Sequence, residues 1–417
     1  MGVPLLESLS SGKHKHLFQS SDEFAVYSTG FQVLDAINAF AIPYTLPDGT
    51  LQTDIARGII GGRFVTFIGM SGTGKSTLAD QIAWNIVKDF PNGVLIHVDV
   101  EQTMLRHRLL ETIGVLPDDP VNERIIIDQE NTYIEDVLTM VNDLCIYKES
   151  LGAAVMYDAD GKWFGKKSIK VYEPTVIIVD SLPSFTSSNS DTTTLDGQMA
   201  TNRDVAMVSQ FYTKLLAKMN KYNITIFATN HIKPKIIVDV YNPPPSQLML
   251  LSKNESLPRG QAPIFYATNI IRLYTPGKSS LIKRDEYGFD GFEVTATSAK
   301  SKTAFVGASC KLIFREDRGF DEAYTLLATA YDNDIVCGRN PYLYIKGDDT
   351  HKFSKSNFGE KYATDPEFKA AILKAMEPTI LSKVYERMDR IEQLSEKSKL
   401  KVDEHGNVIG GEEDNDS

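Results

Sequence analysis

What this chain has little of narrows its class. Cysteine is scarce, with three residues in 417. Cys145, Cys310 and Cys337 lie far apart without metal-ligand spacing, so they read as buried thiols. No run approaches the roughly 18 uncharged apolar residues of a membrane span. Met1 to Leu17 also lacks the apolar stretch of a signal peptide, so no membrane association and a cytoplasmic location are expected. Nor is there an excess of positive charge: a net charge of −11 argues against a surface that is basic all over and leaves room only for a local basic groove. A chain of this length can bury one large core with smaller appendages, and its 42% hydrophobic and 24% charged fractions are those of an ordinary soluble protein.

What is present centres on Phe64 to Thr77. An apolar, β-branched and aromatic run reaches Gly69, a glycine-rich turn follows, and Leu78, Ala79, Ile82, Ala83 and Ile86 then recur at helical spacing. That order is strand, phosphate loop, helix. Gly69, Met70, Ser71, Gly72, Thr73 and Gly74 would curl backbone N–H groups round an anion at the positive end of a helix dipole. Lys75 would reach the β- and γ-phosphates of ATP, the Ser76 hydroxyl would bind Mg²⁺, and Thr77 completes the run.

The flanking chain supplies further strands with polar ends. Gly93 to Glu101 reads as a buried strand ending in two acids, and carboxyl ends of strands face the ligand crevice of an open α/β sheet. Asp99 and Glu101 share a face; Glu101, just past the strand, is the better candidate to polarise a water, with a solvated turn carboxylate as the alternative. Pro174 to Ser181 holds four apolar residues ending in an acid, the pattern in which Asp180 holds Mg²⁺ through its water shell. Ile224 to His231 is another buried strand, and His231 reads equally as a satisfied core histidine or as a phosphate sensor. Helices are expected over 104–113, stopped by Gly114, over 133–147 and over 205–220; a surface hairpin over 153–170; further strands over 267–274, 292–298 and 307–314. Residues 42–59 read as a loop, as do 185–203 and the proline-rich 232–262. Residues 365–391 read as one or two amphipathic helices, and 403–417 as a disordered acidic tail.

Together these motifs resemble the RecA family of strand-exchange ATPases, closest to its bacteriophage UvsX-type branch. The resemblance runs from about residue 29 to 345: Thr29-Gly30 with Leu34-Asp35, the phosphate loop, Asp99-x-Glu101, Val179-Asp180-Ser181, Asn230-His231 and Ala299-Lys300-Ser301-Lys302 fall in the family's order. It implies a mostly parallel α/β core over 56–345, an oligomerisation arm over 1–55, a helical region over 346–400 and an acidic tail over 401–417. It implies Glu101 as the catalytic base, His231 as γ-phosphate sensor, and Lys300 and Lys302 reaching the ATP of a neighbouring subunit. DNA contacts would come from the loops 187–203 and 232–261, with Arg203, Lys233, Lys235, Lys253, Arg259 and Gly260 as candidates; ordinary solvated loop charge is the alternative for the lysines and Arg259. The second loop lacks the family's adjacent glycines, and the adenine contact is open between Arg106 and Arg108. The implied function is an ATP-hydrolysing recombinase, filamentous on single-stranded DNA and pairing it with duplex, aided by single-strand-binding and mediator proteins. A hexameric helicase on the same core and a slowly hydrolysing scaffold are the alternatives.

Overall fold

The computed structural model describes residues 24–45, 51–157, 168–188, 197–235, 245–398, 401–402 and 408–409. Most of the N-terminal arm, the tip of the 153–170 hairpin, parts of both proposed DNA loops and nearly all of the acidic tail lie outside the described residues.

The element order follows from the apolar runs. Phe64–Gly69 (β1) is buried along its whole length and leads through the phosphate loop into Lys75–Val87 (α1). Val94–Asp99 (β2), Arg106–Ile113 (α2), Ile125–Asp128 (β3) and Ile134–Leu151 (α3) follow. Next come Thr175–Asp180 (β4), Gly197–Tyr222 (α4), Ile224–His231 (β5) and Asn269–Tyr274 (β6). Gly291–Ser301 (β7), Ser309–Arg315 (β8) and Gly319–Asp321 (β9) complete the main strands, and Glu322–Asp332 (α5) packs behind them.

These strands build a ten-stranded sheet in the order β9-β8-β7-β6-β1-β5-β4-β2-β3, with Leu281–Ile282 pairing on β7. The six strands from β3 to β6 are parallel, and β7, β8 and β9 continue antiparallel. Strands β1, β4 and β5 are apolar on both faces because both faces are covered, as parallel sheets require. On one side Leu78, Ala79, Ile82 and Ile86 of α1 meet Val65, Phe67, Ile178 and Phe227. On the other, Val137 and Val141 of α3 with Phe211 and Leu215 of α4 meet Phe64, Ile177 and Val179. The carboxyl ends of β1, β2, β4 and β5 therefore share one edge of the sheet.

Several local expectations hold. Gly114 stops α2 in the left-handed conformation at φ 72°, Ala154–Tyr157 pairs antiparallel with Ser168–Val171, and β6, β7 and β8 lie where the apolar runs placed them. Others fail for identifiable reasons. Residues 42–59, read as a loop, hold most of a hairpin with six residues per strand, Phe40–Thr45 on Leu51–Ala56. Pro43 is compatible with it because both strands of an isolated ribbon are edges and need no central donor. Arg203, assigned to a loop, lies on α4, which begins at Gly197; the Gln, Met, Ala and Arg of its first turns are good helix formers and outweigh the polar surroundings. The 232–262 stretch contains a short pairing of Lys233–Pro234 with Glu255–Ser256.

Beyond the sheet, Val336–Arg339 (β10), Tyr342–Ile345 (β11) and Asp348–Phe353 (β12) form a meander that extends strand into the region expected to be helical. Phe358–Thr364 (α6), Pro366–Ile380 (α7) and Ser382–Ser398 (α8) follow, close to the expected helical span. Phe353, Phe358 and Phe368 join the main core, while Leu381 and Val384 pack on Ala36, Ala39 and Ala41. Among the described residues, no helix is long and apolar enough to cross a membrane.

Candidate nucleotide site

The phosphate loop is built by backbone geometry before side chains enter. Gly72 and Gly74 take φ of 77° and 79°, a region costly for other residues. A Cβ on Gly74 would also stand 2.8 Å from the Phe320 ring, so no larger residue fits. Gly74 is the N-cap of α1 and supplies no side-chain cap, which leaves the first N–H groups of the helix directed at the loop. Such a cradle suits a polyphosphate. Thr73 Oγ1 and Lys75 Nζ both donate to the Met70 carbonyl, at 2.9 and 2.8 Å, and fold the loop on itself. Burial lowers the Lys75 pKa, opposed by Asp180 and Glu101, so the ammonium sits between the loop and two acids.

Sheet pairing brings the remaining groups to the same edge. His231 is in register with Gly69, and Asp180 with Asp99. Thr229 Oγ1 donates to Asp180 Oδ1 at 2.5 Å, and His97 Nε2 stands 3.8 Å from Oδ2. The Asp180 side chain remains 16% exposed. An oriented, partly open carboxylate near the Ser76 end of α1 suits a hard divalent cation held through water. Ser76 and Asp180 are thus the residues that would hold Mg²⁺.

The two acids after β2 separate in role. Asp99 is buried, and its Oδ2 accepts from the Met104 N–H and from Gln129 Nε2, each at 2.7 Å. It pins the turn that follows the strand. Glu101 is exposed beside the loop; Ser181 Oγ donates to its Oε1, and His231 Nε2 lies 3.7 Å from the same oxygen. His231 has its pKa lowered by burial and then by Lys75, with Glu101 opposing, so the neutral imidazole is favoured there.

Lys300 and Lys302 lie elsewhere. Lys300 is in register with Ile270, and the Lys302 N–H bonds the carbonyl of Thr268, whose own N–H bonds Phe64 at the start of β1. At about 3.3 Å per residue they are roughly 10 to 17 Å along the strands from Gly69. Lys300 Nζ caps the carbonyls of Ile264 and Phe265, and burial followed by the charge of Lys302 lowers its pKa to about 8. Lys302 is exposed. Along the strands both stand away from the phosphate loop of their own chain.

Of the proposed DNA contacts, Lys233 and Lys253 are exposed, and Lys235 is partly exposed. Arg259, at φ 66°, turns inward: its Nε and Nη2 donate to the carbonyls of Leu182 and Pro183, 3.0 and 2.7 Å away. Gly260 follows at φ 72°. Arg259 thus ties the second loop to the turn after Asp180. Arg108 Nη2 donates to the Glu316 carbonyl at 3.3 Å, and Arg106 is exposed.

Three participants were not singled out from sequence, Thr229, His97 and Asp80, and Ser181 was named only within the motif that carries Asp180. His97 is completely buried and bonds Asp80 Oδ1 through Nδ1 at 2.7 Å. Burial alone would push the imidazole down, but Asp80, with Asp180 and Asp99 behind it, outweighs this and holds the pKa up at about 9. A lone histidine in an apolar strand and an acid on the buried face of α1 were the available signals.

The sequence model of a family described as the AAA domain matches residues 50–233, which contain the phosphate loop, Glu101, Asp180 and His231. No curated protein matches the chain. With the loop and sheet geometry, the match supports a P-loop NTPase core and, with it, nucleotide binding and ATP hydrolysis in general.

Proposed function

We propose that this chain is an ATP-dependent DNA recombinase that polymerises head to tail on single-stranded DNA and pairs it with a homologous duplex. The observation that carries the reading is the separation of cations: Lys75 is at the phosphate loop, while Lys300 and Lys302 lie toward the opposite edge of the same sheet. Phosphoryl transfer to water needs positive charge on the transferred group and an oriented nucleophile, with little covalent help. A head-to-tail contact would bring the second edge of one copy to the first edge of the next and complete the charge set.

In that arrangement the loop amides and Lys75 bind the triphosphate, and Glu101, steadied by Ser181, orients the attacking water and takes its proton. Mg²⁺, held by Ser76 and Asp180 when bound, would neutralise β- and γ-phosphate charge. Neutral His231, against both Glu101 and the end of β1, would sense the γ-phosphate and pass its presence to residue 232 onward. DNA would be gripped by the loops leaving β4 and β5, which Arg259 links, with Lys233, Lys235 and Lys253 contacting backbone phosphates. The site is cytoplasmic in this reading, and accessory single-strand-binding proteins would share the substrate.

The test is ATP turnover against protein concentration, with and without single-stranded DNA, imaged in parallel. DNA-stimulated turnover by helical filaments supports the proposal. Closed six-membered rings would favour a helicase, and slow turnover indifferent to DNA a nucleotide-gated scaffold.

A further inference from the structure

Behind Asp180, a buried acid and a buried imidazole, Asp80 and His97, run from α1 to β4 and have no part in hydrolysis as set out above. His97 lies on β2 with its side chain fully buried. Its Nδ1 is 2.7 Å from Asp80 on α1, and its Nε2, which has no hydrogen-bond partner, is 3.8 Å from Asp180 Oδ2 on β4. Asp99, two residues along β2, is already occupied by Met104 and Gln129. A buried nitrogen with no protein hydrogen-bond partner is costly, and the nearest polar group it faces offsets part of that cost. The group it faces is the carboxylate assigned to the metal.

We propose that His97, locked by Asp80, is a positioning residue that fixes the carboxylate of Asp180 and couples it to the helix carrying Lys75. This rests on the nucleotide-site reading. Asp180 would otherwise be oriented by Thr229 alone, at Oδ1, and could turn about its Cβ–Cγ bond. With Nε2 3.8 Å from Oδ2, the second oxygen faces the imidazole across an electrostatic contact, not a hydrogen bond, and this contact favours one orientation of the carboxylate. Asp80 stands five residues after Lys75 on the same helix, so the imidazole spans phosphate-binding helix and metal-holding strand. A shift of α1 on nucleotide binding would then reach Asp180 without passing through solvent.

The experiment uses the full chain, a fluorescent non-hydrolysable ATP analogue, and a magnesium titration of its binding, with magnesium-free binding and melting temperature as controls. Groups that orient a metal's ligands are typically worth about tenfold or more in metal affinity. His97→Phe should raise the magnesium midpoint about tenfold and leave magnesium-free nucleotide affinity unchanged. His97→Gln, whose amide N–H stands near the place of Nε2, should recover most of that loss. A purely structural histidine would give no such rescue, and an unchanged midpoint in folded His97→Phe would overturn the proposal. Should His97→Phe fail to fold, Asp80→Asn decides: a midpoint raised about threefold supports the proposal, and an unshifted one refutes it. Absence of nucleotide binding in the unaltered chain would instead overturn the site reading itself.

Discussion

Replacing Glu101 by Gln removes one charge and one proton acceptor while keeping the shape of the side chain. The amide oxygen can still accept from Ser181 Oγ, so the side chain keeps its anchor. His231 stands 3.7 Å away and the Lys75 charge acts on the carboxylate, but the side chain is 36% exposed, so little packing is at stake. The phosphate loop, held by Thr73 and Lys75 on Met70, is untouched. The predicted loss is therefore in turnover: a positioned general base is worth about 10²- to 10⁴-fold, or about 3 to 5 kcal/mol of barrier. Nucleotide affinity should stay within about threefold, a change of under ~1 kcal/mol. Steady-state phosphate release and equilibrium binding of a fluorescent nucleotide measure the two quantities separately. Turnover within threefold of the unaltered chain would refute the argument and move the base to another group; Asp99, already bonded by Met104 and Gln129, would need its turn to open first.

Lys75→Ala should abolish nucleotide binding in an equilibrium assay, because it removes the cation at the loop and its bond to the Met70 carbonyl. Gly74→Ala should lower stability by about 1 to 3 kcal/mol and disable binding, since φ is 79° and the new Cβ meets Phe320; a denaturant midpoint and a binding isotherm check this. Lys300→Ala should slow turnover only at concentrations where the protein assembles, and equal loss in dilute protomers would place Lys300 in its own chain's chemistry. The raised His97 pKa gives a pH signature. The stability it adds is fully present below the ordinary value of 6.5 and lost as pH rises through about 9. The difference in unfolding free energy between the unaltered chain and His97→Phe should shrink as pH rises from 6 to 10, and an unchanged difference would contradict a charged His97.

The phosphate loop was legible because everything it needs is contiguous: strand, positive-φ glycines and helix lie within fourteen residues, from Phe64 to Thr77. Asp180 was legible from an apolar run ending in an acid. What fixes Asp180 was not, since Thr229 and His97 reach it only through strand pairing. The same holds for Asp99 and Glu101. Alternation put both on one face and could not show that Gln129, thirty residues on, would claim Asp99. Helix stops set by one residue, such as Gly114, were read directly. The Phe40–Ala56 hairpin and the start of α4 were missed because proline and polar residues signal loops only on average. That Lys300 and Lys302 lie away from the loop depends on β7 running antiparallel to β6, a property of the assembled sheet.

The central claim, that one copy lends cations to the next, is tested most directly by mixing two inactive proteins. One carries Glu101→Gln with its lysines intact; the other carries Lys300→Ala and Lys302→Ala with Glu101 intact. In a randomly mixed polymer about a quarter of contacts join an intact Glu101 to intact lysines, so DNA-dependent turnover should recover to about a quarter of the unaltered rate. A mixture no more active than the sum of its parts would contradict the account.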